Sequence, residues 1–554
     1  MKQALTLLIS ISLFYTTQAQ STYDQVYNLL QSSCATSGCH SNAAQAGSLD
    51  LEGTGASPAV RKADVYNNLV GVTPSNPVSA GKNHQLVYAG QPYESFLFRK
   101  INNNLAIEVD LDMGEGDEMP SVGNPLENEE IELIRQWIMY GAPQTGIVID
   151  TALIADYHGP NGFNSLSQIP MPPPAGEGFQ IHMGPFILPP STPGQLQDEV
   201  EFFQKYETNL PNDLEVHKIE TVMGTYSHHF ILWKYRPGED SNKGPGLRVD
   251  NAHYYTKIVN AVQFSEAVEL PSGTAFDWEA NTVLDLNSHY INYSTTYTTG
   301  CDVYINVYTQ PTGTANQTME SEIIPNYNIF IPNNNQEQTF SQHIKFASLP
   351  IPIWIWGLTS HTHQYGTDFN LYNSDPQGNP GAMVFDAGCP GGVPGCQTEN
   401  YDYQHPPTRY YEPFLQTTLN RGLVAEAKYK NNGPSSVTWG ETSNDEMMVT
   451  LVFFLFDTTG VDLTTGIRRP LNQASVEVYP NPASDFMMLD LAELSESSIE
   501  GQIIGMDGRV HKYFNIEPGN IQYRLERENI QPGNYILQLF TDDGRAARSK
   551  VQFR

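Results

Sequence analysis

Basic residues are scarce in this sequence. Its 554 residues include 29 Lys and Arg against 61 Asp and Glu, a formal net charge of −32. Such an acidic surface repels polyanions, which argues against a protein that binds nucleic acid or an anionic membrane. Beyond residue 20 the chain also lacks any apolar run near the roughly 20 residues that cross a bilayer. We therefore expect a mature protein that does not span a membrane.

Cysteine is also scarce, and the five cysteines are an odd number. An oxidising compartment normally pairs such residues. Cys389 and Cys396 close the turn-rich loop CPGGVPGC, which favours a short disulfide between them. Cys34 and Cys39 share one short motif. Cys301 is then either left alone or competes for one of those partners.

The first 20 residues have the pattern of a secretory signal peptide. Lys2 is followed by an apolar run from Ala4 to Tyr15 and then by small and polar residues, with a cleavage position near Ala19. Because the run is too short to span a bilayer, the pattern favours a cleaved signal over an N-terminal anchor. We therefore expect export.

The rest of the chain is too long for one core and predicts a multidomain, mainly β protein. Short apolar runs such as HHFILWKY and MMVTLVFFLF alternate with turn residues, as in β-sandwiches. The expected order after the signal peptide is a helical domain, a proline-rich linker, two β-sandwich domains that meet near 315–325, a second linker and a small β-sandwich. Their bounds are 21–146, 147–178, 179–318, 319–458, 459–474 and 475–554.

Two thiols followed at once by a histidine stand in the helical domain, as Cys34-Ala-Thr-Ser-Gly-Cys39-His40. Covalent attachment of a c-type haem needs two thioether bonds and an imidazole that binds the iron. Four residues separate the cysteines here, where two are usual. A disulfide loop and half of a zinc site are the alternative interpretations.

Residues 21–146 resemble the small cytochrome c domains of exported bacterial proteins, above all in the run DMGEGDEMPSVGNPLENEEIELIRQWIMYGA. In that family a Met-Pro pair precedes the last helix, and its methionine is the distal haem ligand. The resemblance implies a covalent haem c on Cys34 and Cys39. Its iron ligands would be His40 and Met119, with Met113 as the alternative to Met119. The apolar spacing predicts that the last helix spans Asn128 to Tyr140.

Histidines recur in three elements of the β-rich region: SHHFILW, LNSHYINY and SHTHQYG. His361 and His363 share a face of a strand and can bind one metal. His228 and His229 point to opposite faces unless a strand end or a bulge intervenes. His289 stands alone in its element, and a later element, GETSNDEM, ends at Met447.

The order of these elements over 179–458 resembles the copper type II, ascorbate-dependent monooxygenases, the family of dopamine β-hydroxylase and the peptidylglycine α-hydroxylating enzyme. The resemblance implies two jelly-roll-like sandwich domains that face each other across a cleft and hold two copper ions. The electron-transfer copper would be held by His228, His229 and His289. The catalytic copper would be held by His361, His363 and Met447.

The same resemblance implies an oxidoreductase that hydroxylates an activated C–H bond of a small-molecule substrate with dioxygen. It also implies an external reductant, either ascorbate-like or a redox protein. Thr359 and Leu451 stand where the peptide-amidating enzyme has an arginine and a tyrosine, which argues against a peptidylglycine substrate. The alternatives are an exported haem and copper electron-transfer or copper-binding surface protein without hydroxylase activity, and an adhesive protein with structural metals.

The tail contains VYPNPASD, GMDGRV and the final PGNYILQLFTDDGRAARSKVQFR. Together these segments resemble the type IX secretion sorting domain of Bacteroidetes. The resemblance implies passage through the outer membrane by the type IX machinery, to the medium or the cell surface. An ordinary accessory β-domain is the alternative.

Overall fold

The structure of the protein is a computed structural model. It divides into two compact units, Met1–Thr151 and Ala152–Arg554. The structure describes residues 20–166, 169–192, 200–224, 226–248, 256–262, 265–292, 294–388, 401, 403, 406–440, 445–463, 468–470, 476–492, 494–495, 499–505, 510–541 and 546–554. The signal peptide predicted at 1–20 therefore lies, except for its last residue, outside the described residues.

The first unit is helical. Ser21 caps its first helix through a capping box with Asp24. The first and fifth helices pack together through the rings of Tyr23 and Trp137, whose centroids are 5.4 Å apart and nearly parallel. The fifth helix is the one predicted from the apolar spacing. The helices are α1 Thr22–Ser33, α2 Pro58–Leu69, α3 Pro77–Gly81, α4 Phe96–Ile101, α5 Asn128–Met139 and, at the boundary between the units, α6 Thr151–Tyr157.

The second unit is built of strands because its short apolar runs alternate with turn residues. The described strands are β1 Gly162–Asn164, β2 Gly178–Leu188, β3 Val200–Glu207, β4 Leu214–Met223, β5 Ser227–Tyr235, β6 Gly246–Arg248, β7 Thr256–Val262, β8 Glu266–Glu269, β9 Thr274–Trp278, β10 Val283–Tyr290, β11 Thr298–Gln310, β12 Gln317–Thr318, β13 Glu320–Pro325, β14 Phe330–Ile331, β15 Glu337–Ile344, β16 Pro352–Thr362, β17 Gly366–Ser374, β18 Pro380–Asp386, β19 Arg409–Thr418, β20 Leu423–Lys430, β21 Val437–Thr438, β22 Met448–Leu455, β23 Arg468–Pro470, β24 Glu477–Tyr479, β25 Phe486–Asp490, β26 Ile499–Gly505, β27 Val510–Ile516, β28 Gln522–Glu526, β29 Gly533–Thr541 and β30 Ala546–Phe553.

Two sheets form the first sandwich. One has the order β1-β11-β4-β8-β23, with β2 also on β11, β9 on β4 and β12 on β9. The other has the order β6-β3-β10-β5-β7. The sheets pack face to face, since Phe186 of β2 stacks on Phe202 of β3 with 4.5 Å between ring centroids. In the five-stranded sheet, β10 lies in the middle, between β3 and β5.

The second sandwich begins at β13. Its sheets have the orders β13-β22-β16-β19 and β15-β20-β17-β18, and β14 pairs with β21. One core joins them, in which Leu358 and Val452 of the first sheet pack with Phe369 and Ala427 of the second. Thr318 pairs with the first sandwich through β9, whereas Glu320 pairs with the second through β22. The chain therefore passes from one sandwich to the other within the 315–325 interval expected for the domain boundary.

The tail is a smaller pair of sheets, β24-β25-β28 and β27-β26-β29-β30. They share a core that includes Leu489, Leu525, Leu537 and Val551. The chain as a whole is thus mainly β with several sheets, as the sequence predicted. Among the described residues, no helix is both long and apolar enough to cross a membrane.

Both segments expected to be linkers contain regular secondary structure. The segment 147–178 contains α6 and β1, and β1 pairs in parallel with β11. The segment 459–474 contains β23, which pairs with β8. A proline-rich stretch favours extended chain. The residues of β1 and β23, however, add to strands of the first sandwich, β11 and β8, by backbone pairing.

Candidate metal centre

Three adjacent strands bring the first group of predicted ligands together. In β10, His289 pairs with His229 of β5 on one side and with Glu201 of β3 on the other. Directly paired residues of neighbouring strands project from the same face of a sheet. The imidazole rings of His229 and His289 accordingly lie 4.9 Å apart between centroids.

A β-bulge occupies the point where the two adjacent histidines occur. His229 pairs with His289 but Ser227 pairs with Tyr290, so that His228 is the extra residue on β5. A bulge is one of the two conditions under which adjacent strand residues can serve one metal. The backbone of His228 is described, whereas its side chain lies outside the described part of the structure.

Glu201 is a residue that the sequence analysis missed. Its Oε1 lies 3.6 Å from Nε2 of His229 and accepts a 2.9 Å hydrogen bond from Nδ2 of Asn287. Burial alone would raise the pKa of Glu201, but the contact with His229 and the charges of His229 and His289 outweigh it and bring the pKa to about 2. No local motif marks this residue, because only the strand pairing makes it a neighbour of the histidines.

The second group of predicted ligands lies at the end of β16. His361 and His363 alternate along the chain with buried Thr362, and their rings are 5.2 Å apart between centroids. In the pairing of β16 with β22, His361 is opposite Val449 and Thr362 is opposite Met448. The pairing ends there, and His363 and Met447 are the next residues of the chain beyond the paired ends of the two strands.

A buried carboxylate ties these ligands to one another. Oε1 of Glu446 accepts hydrogen bonds from the backbone N–H groups of His363 and Met447, the latter at 2.9 Å, and Oε2 accepts one from Tyr365 at 3.0 Å. Burial raises the pKa of Glu446 to about 7 against these three bonds. Glu446 belongs to the GETSNDEM element, but the resemblance predicted a role only for Met447 there.

Two further hydrogen bonds orient the same ligands. Nδ1 of His363 donates to the backbone oxygen of Asp445 at 3.1 Å, because a carbonyl can only accept. The lone pair of that ring then lies on Nε2, the atom that would bind a metal. The hydroxyl of buried Tyr429 donates to the backbone oxygen of Met447 at 2.7 Å.

The two histidine pairs are electrostatic neighbours. Burial, followed by the charges of His363 and His229, lowers the pKa of His361 to about 3, while Glu201 opposes the shift. A hydrogen bond joins the two sandwiches, since Oγ of Ser321 on β13 donates to the backbone oxygen of Ile258 on β7 at 2.6 Å. The charges of the first pair therefore act on the second pair.

The positions that bear on the choice of substrate lie on β16 and β22. Thr359 and Leu451 pair directly in the register of β16 and β22, so the two positions that lack the arginine and tyrosine are adjacent. Trp356 is fully buried and packs against Tyr410 at 4.1 Å between ring centroids. That tryptophan is explained by packing.

The haem motif lies in the first unit. Cys34 and Cys39 are free thiols, and the backbone N–H of His40 donates to the carbonyl of Cys34 at 3.2 Å. Burial, followed by the nearby thiol of Cys39, raises the pKa of Cys34 to about 11. Nδ1 of His40 is buried without a hydrogen-bond partner among the described residues. The disulfide loop considered from the sequence is not formed.

The two candidate methionines of the haem motif differ in exposure. Met113 is 97% exposed, whereas Met119 is partly buried. The backbone N–H of Met119 donates to the backbone oxygen of Lys100 at 2.6 Å. Lys100 lies on α4, so this hydrogen bond connects Met119 to a helix of the first unit. The two methionines that the sequence left as alternative iron ligands therefore differ in burial.

Some predictions fall where the structure gives no test. Cys389 and Cys396 lie outside the described residues, and Cys301 is a buried free thiol. Within the described side chains, no group of three or more His, Cys, Asp and Glu residues is arranged so that it could hold a metal ion. The expected ligand sets each include a donor beyond such a group, namely Met447 and the side chain of His228.

Comparison with solved structures yields likenesses of low similarity. The major capsid protein P2 of bacteriophage PM2 is 9% identical, with 52% of this chain and 100% of that chain covered and a TM-score of 0.21. PNGase F, a glycosylasparaginase from Flavobacterium meningosepticum, is 12% identical, with 52% and 99% covered and a TM-score of 0.20. A β-glucuronidase of Parabacteroides merdae is 8% identical, with 36% and 26% covered and a TM-score of 0.13.

Comparison at the level of sequence identifies the tail. No curated protein matches the chain. Residues 477–552 match the family model of the secretion system C-terminal sorting domain. This match confirms the prediction made from VYPNPASD and the segments that follow it, and it indicates export to the medium or the cell surface. The C-terminal pair of sheets is therefore a type IX secretion sorting domain.

Proposed function

We propose that this exported protein is a copper-dependent monooxygenase. The observation that carries the proposal is the arrangement at the end of β16, where Glu446 accepts hydrogen bonds from the backbones of both His363 and Met447 and the ring of His361 lies beside that of His363, with the His229 and His289 pair as an electrostatic neighbour. Two imidazoles with a thioether suit Cu(I), and imidazoles alone suit a copper that changes oxidation state. Bound copper would supply one-electron chemistry and the activation of dioxygen for hydroxylation of a C–H bond.

The protein's own contribution at the second pair is to position the ligands. Glu446 links the backbones of His363 and Met447 through one carboxylate oxygen. The carbonyl of Asp445 sets the tautomer of His363, so that Nε2 is the ligand atom. Burial keeps His361 neutral at physiological pH, as a metal ligand must be.

The proposal is tested by copper content together with dioxygen uptake on the full-length protein. We expect about two copper ions per chain, and Met447→Ala should retain one of them and lose reductant-dependent dioxygen uptake. Met383→Ala is the matched control, because Met383 is in the same sandwich and 49% exposed. Copper binding without dioxygen uptake in the wild type would favour an electron-transfer or copper-binding surface protein instead.

We further propose that residues 21–146 carry a covalent haem c as a built-in electron donor. Two free thiols, Cys34 and Cys39, stand beside His40, which has a buried nitrogen without a described partner. These residues suit thioether attachment and iron ligation, and Met119 would be the second iron ligand. The haem would supply one electron at a time to the copper held by His229 and His289.

The haem proposal has a spectroscopic test. A pyridine haemochrome spectrum that persists after denaturation would support covalent attachment. We expect Met119→Ala to change the visible spectrum and Met113→Ala to leave it unchanged, since Met113 is almost fully exposed. For the relay, haem reduced in a stopped-flow experiment should reoxidise with copper present and not with copper absent.

A further inference from the structure

A carboxylate shares the face of the first histidine pair. Glu201, His289 and His229 are consecutive members of one row across β3, β10 and β5. Cross-strand neighbours in such a row have their Cβ atoms about 4.5–5.5 Å apart, which lets three side chains reach one ion. The row therefore contains an acidic donor as well as the two imidazoles.

The spacing between Glu201 and His229 is informative. Their Oε1 and Nε2 atoms are 3.6 Å apart, beyond the range of a good hydrogen bond. A divalent ion binds carboxylate oxygen and imidazole nitrogen at about 2.0–2.2 Å. Two such donors 3.6 Å apart would subtend roughly 120° at a shared ion, an angle that metal coordination readily adopts.

A neighbouring side chain orients the carboxylate of Glu201. Nδ2 of buried Asn287 donates to Oε1 of Glu201, which is the type of outer contact that orients ligating carboxylates. As placed, the row does not yet converge on one point. The side chain of Glu201 is 39% exposed, so its outer end has room to turn toward the imidazoles.

We propose that Glu201 is an oxygen ligand of the metal ion held by His229 and His289, which makes this a mixed nitrogen and oxygen site. The inference rests on the proposed function in that it assumes copper at the histidine pair. A carboxylate is a harder donor than imidazole and favours Cu(II) over Cu(I). Glu201 thus stabilises the oxidised ion and makes it a stronger one-electron donor when reduced.

The test is Cu(II) titration of full-length protein that carries His363→Ala, which removes the second pair. We expect Glu201→Gln to weaken Cu(II) binding at least tenfold and to change the copper hyperfine splitting in the EPR spectrum. The affinity for Cu(I) should change less than threefold, which also verifies that the imidazoles remain in place. Glu201→Asp, which keeps a carboxylate, should recover part of the loss.

Glu207→Gln is the matched control, because Glu207 is on the same strand, is 44% exposed and pairs with Val283 at the far end of β10. We expect it to behave as the parent. Equal Cu(II) affinity and equal spectra for the Glu201 and Glu207 variants would overturn the role of Glu201 while leaving the copper site intact. If His289→Ala removes no Cu(II) binding from the parent protein, both this inference and the proposed function are overturned.

Discussion

Arg248→Met should strongly destabilise the sheet that carries His229 and His289. Arg248 of β6 forms an ion pair and hydrogen bond with Oδ2 of Asp285, whose side chain is fully buried on β10. The hydroxyl of Tyr235 on β5 donates to the same oxygen at 2.9 Å. The substitution removes the positive charge and leaves the carboxylate inside the sandwich.

The structure sets the size and pH dependence of this effect. Burial raises the pKa of Asp285, and the charge and hydrogen bond of Arg248 oppose that shift. Breaking a buried ion pair from one side costs about 3–5 kcal/mol. Without Arg248 the folded-state pKa rises further above the unfolded value. A group with a raised folded-state pKa contributes stability at low pH and loses it as pH rises through that pKa. The loss of unfolding free energy caused by Arg248→Met should therefore be larger at pH 8 than at pH 5.

The assay is peptide-resolved hydrogen exchange of β10 in the full-length protein at both pH values, corrected for intrinsic exchange rates. Arg236→Met is the control, because Arg236 and Glu322 form an exposed pair at 3.4 Å, for which at most about 1 kcal/mol is expected. The reasoning is refuted if both variants lose the same protection, or if the Arg248→Met deficit does not shrink toward pH 5.

Three other predictions concern separate parts of the chain. Glu446→Ala should weaken Cu(I) binding by about 10–100-fold in a competition titration, since it removes the acceptor shared by His363 and Met447; unchanged affinity would contradict the positioning role. His84 has its pKa lowered to about 4, chiefly by burial, so helix protection in the first unit should fall by about 1–2 kcal/mol between pH 7 and pH 5, and a His84→Gln variant that loses as much would contradict this. Phe369→Ala, at a fully buried position, should cost the second sandwich about 3–5 kcal/mol in denaturant unfolding, and a cost below about 1 kcal/mol would disprove its place in that core.

Local sequence was enough wherever one segment contains the whole signal. The apolar spacing that predicted a helix from Asn128 corresponds to α5, which begins at that residue. The sorting domain was predicted from its turns and strand pattern, and the family match spans 477–552. The mainly β character follows from alternation along short runs. The alternation of His361 and His363 likewise follows from the two-residue period of a strand.

Pairing between distant segments was beyond the reach of local pattern. Glu201 has no motif of its own, and only the register of β3 with β10 places it beside His289. The bulge at His228 is likewise a property of the β5 and β10 pair. Similarly, the residues of β1 and β23 were expected to lie in linkers. Their strand partners, β11 and β8, come from other parts of the chain, so no local pattern predicts these pairings.

The sequence by itself determined the export tail, the strand-rich composition and the identities of the candidate metal donors, because each depends on residues that are neighbours in the chain. Tertiary structure decided which donors share a face, that Met119 rather than Met113 is partly buried, and that Glu446 joins His363 to Met447. Side chains meet through strand register and packing between sheets, and those long-range pairings are chosen by the burial of the whole fold rather than by any local segment.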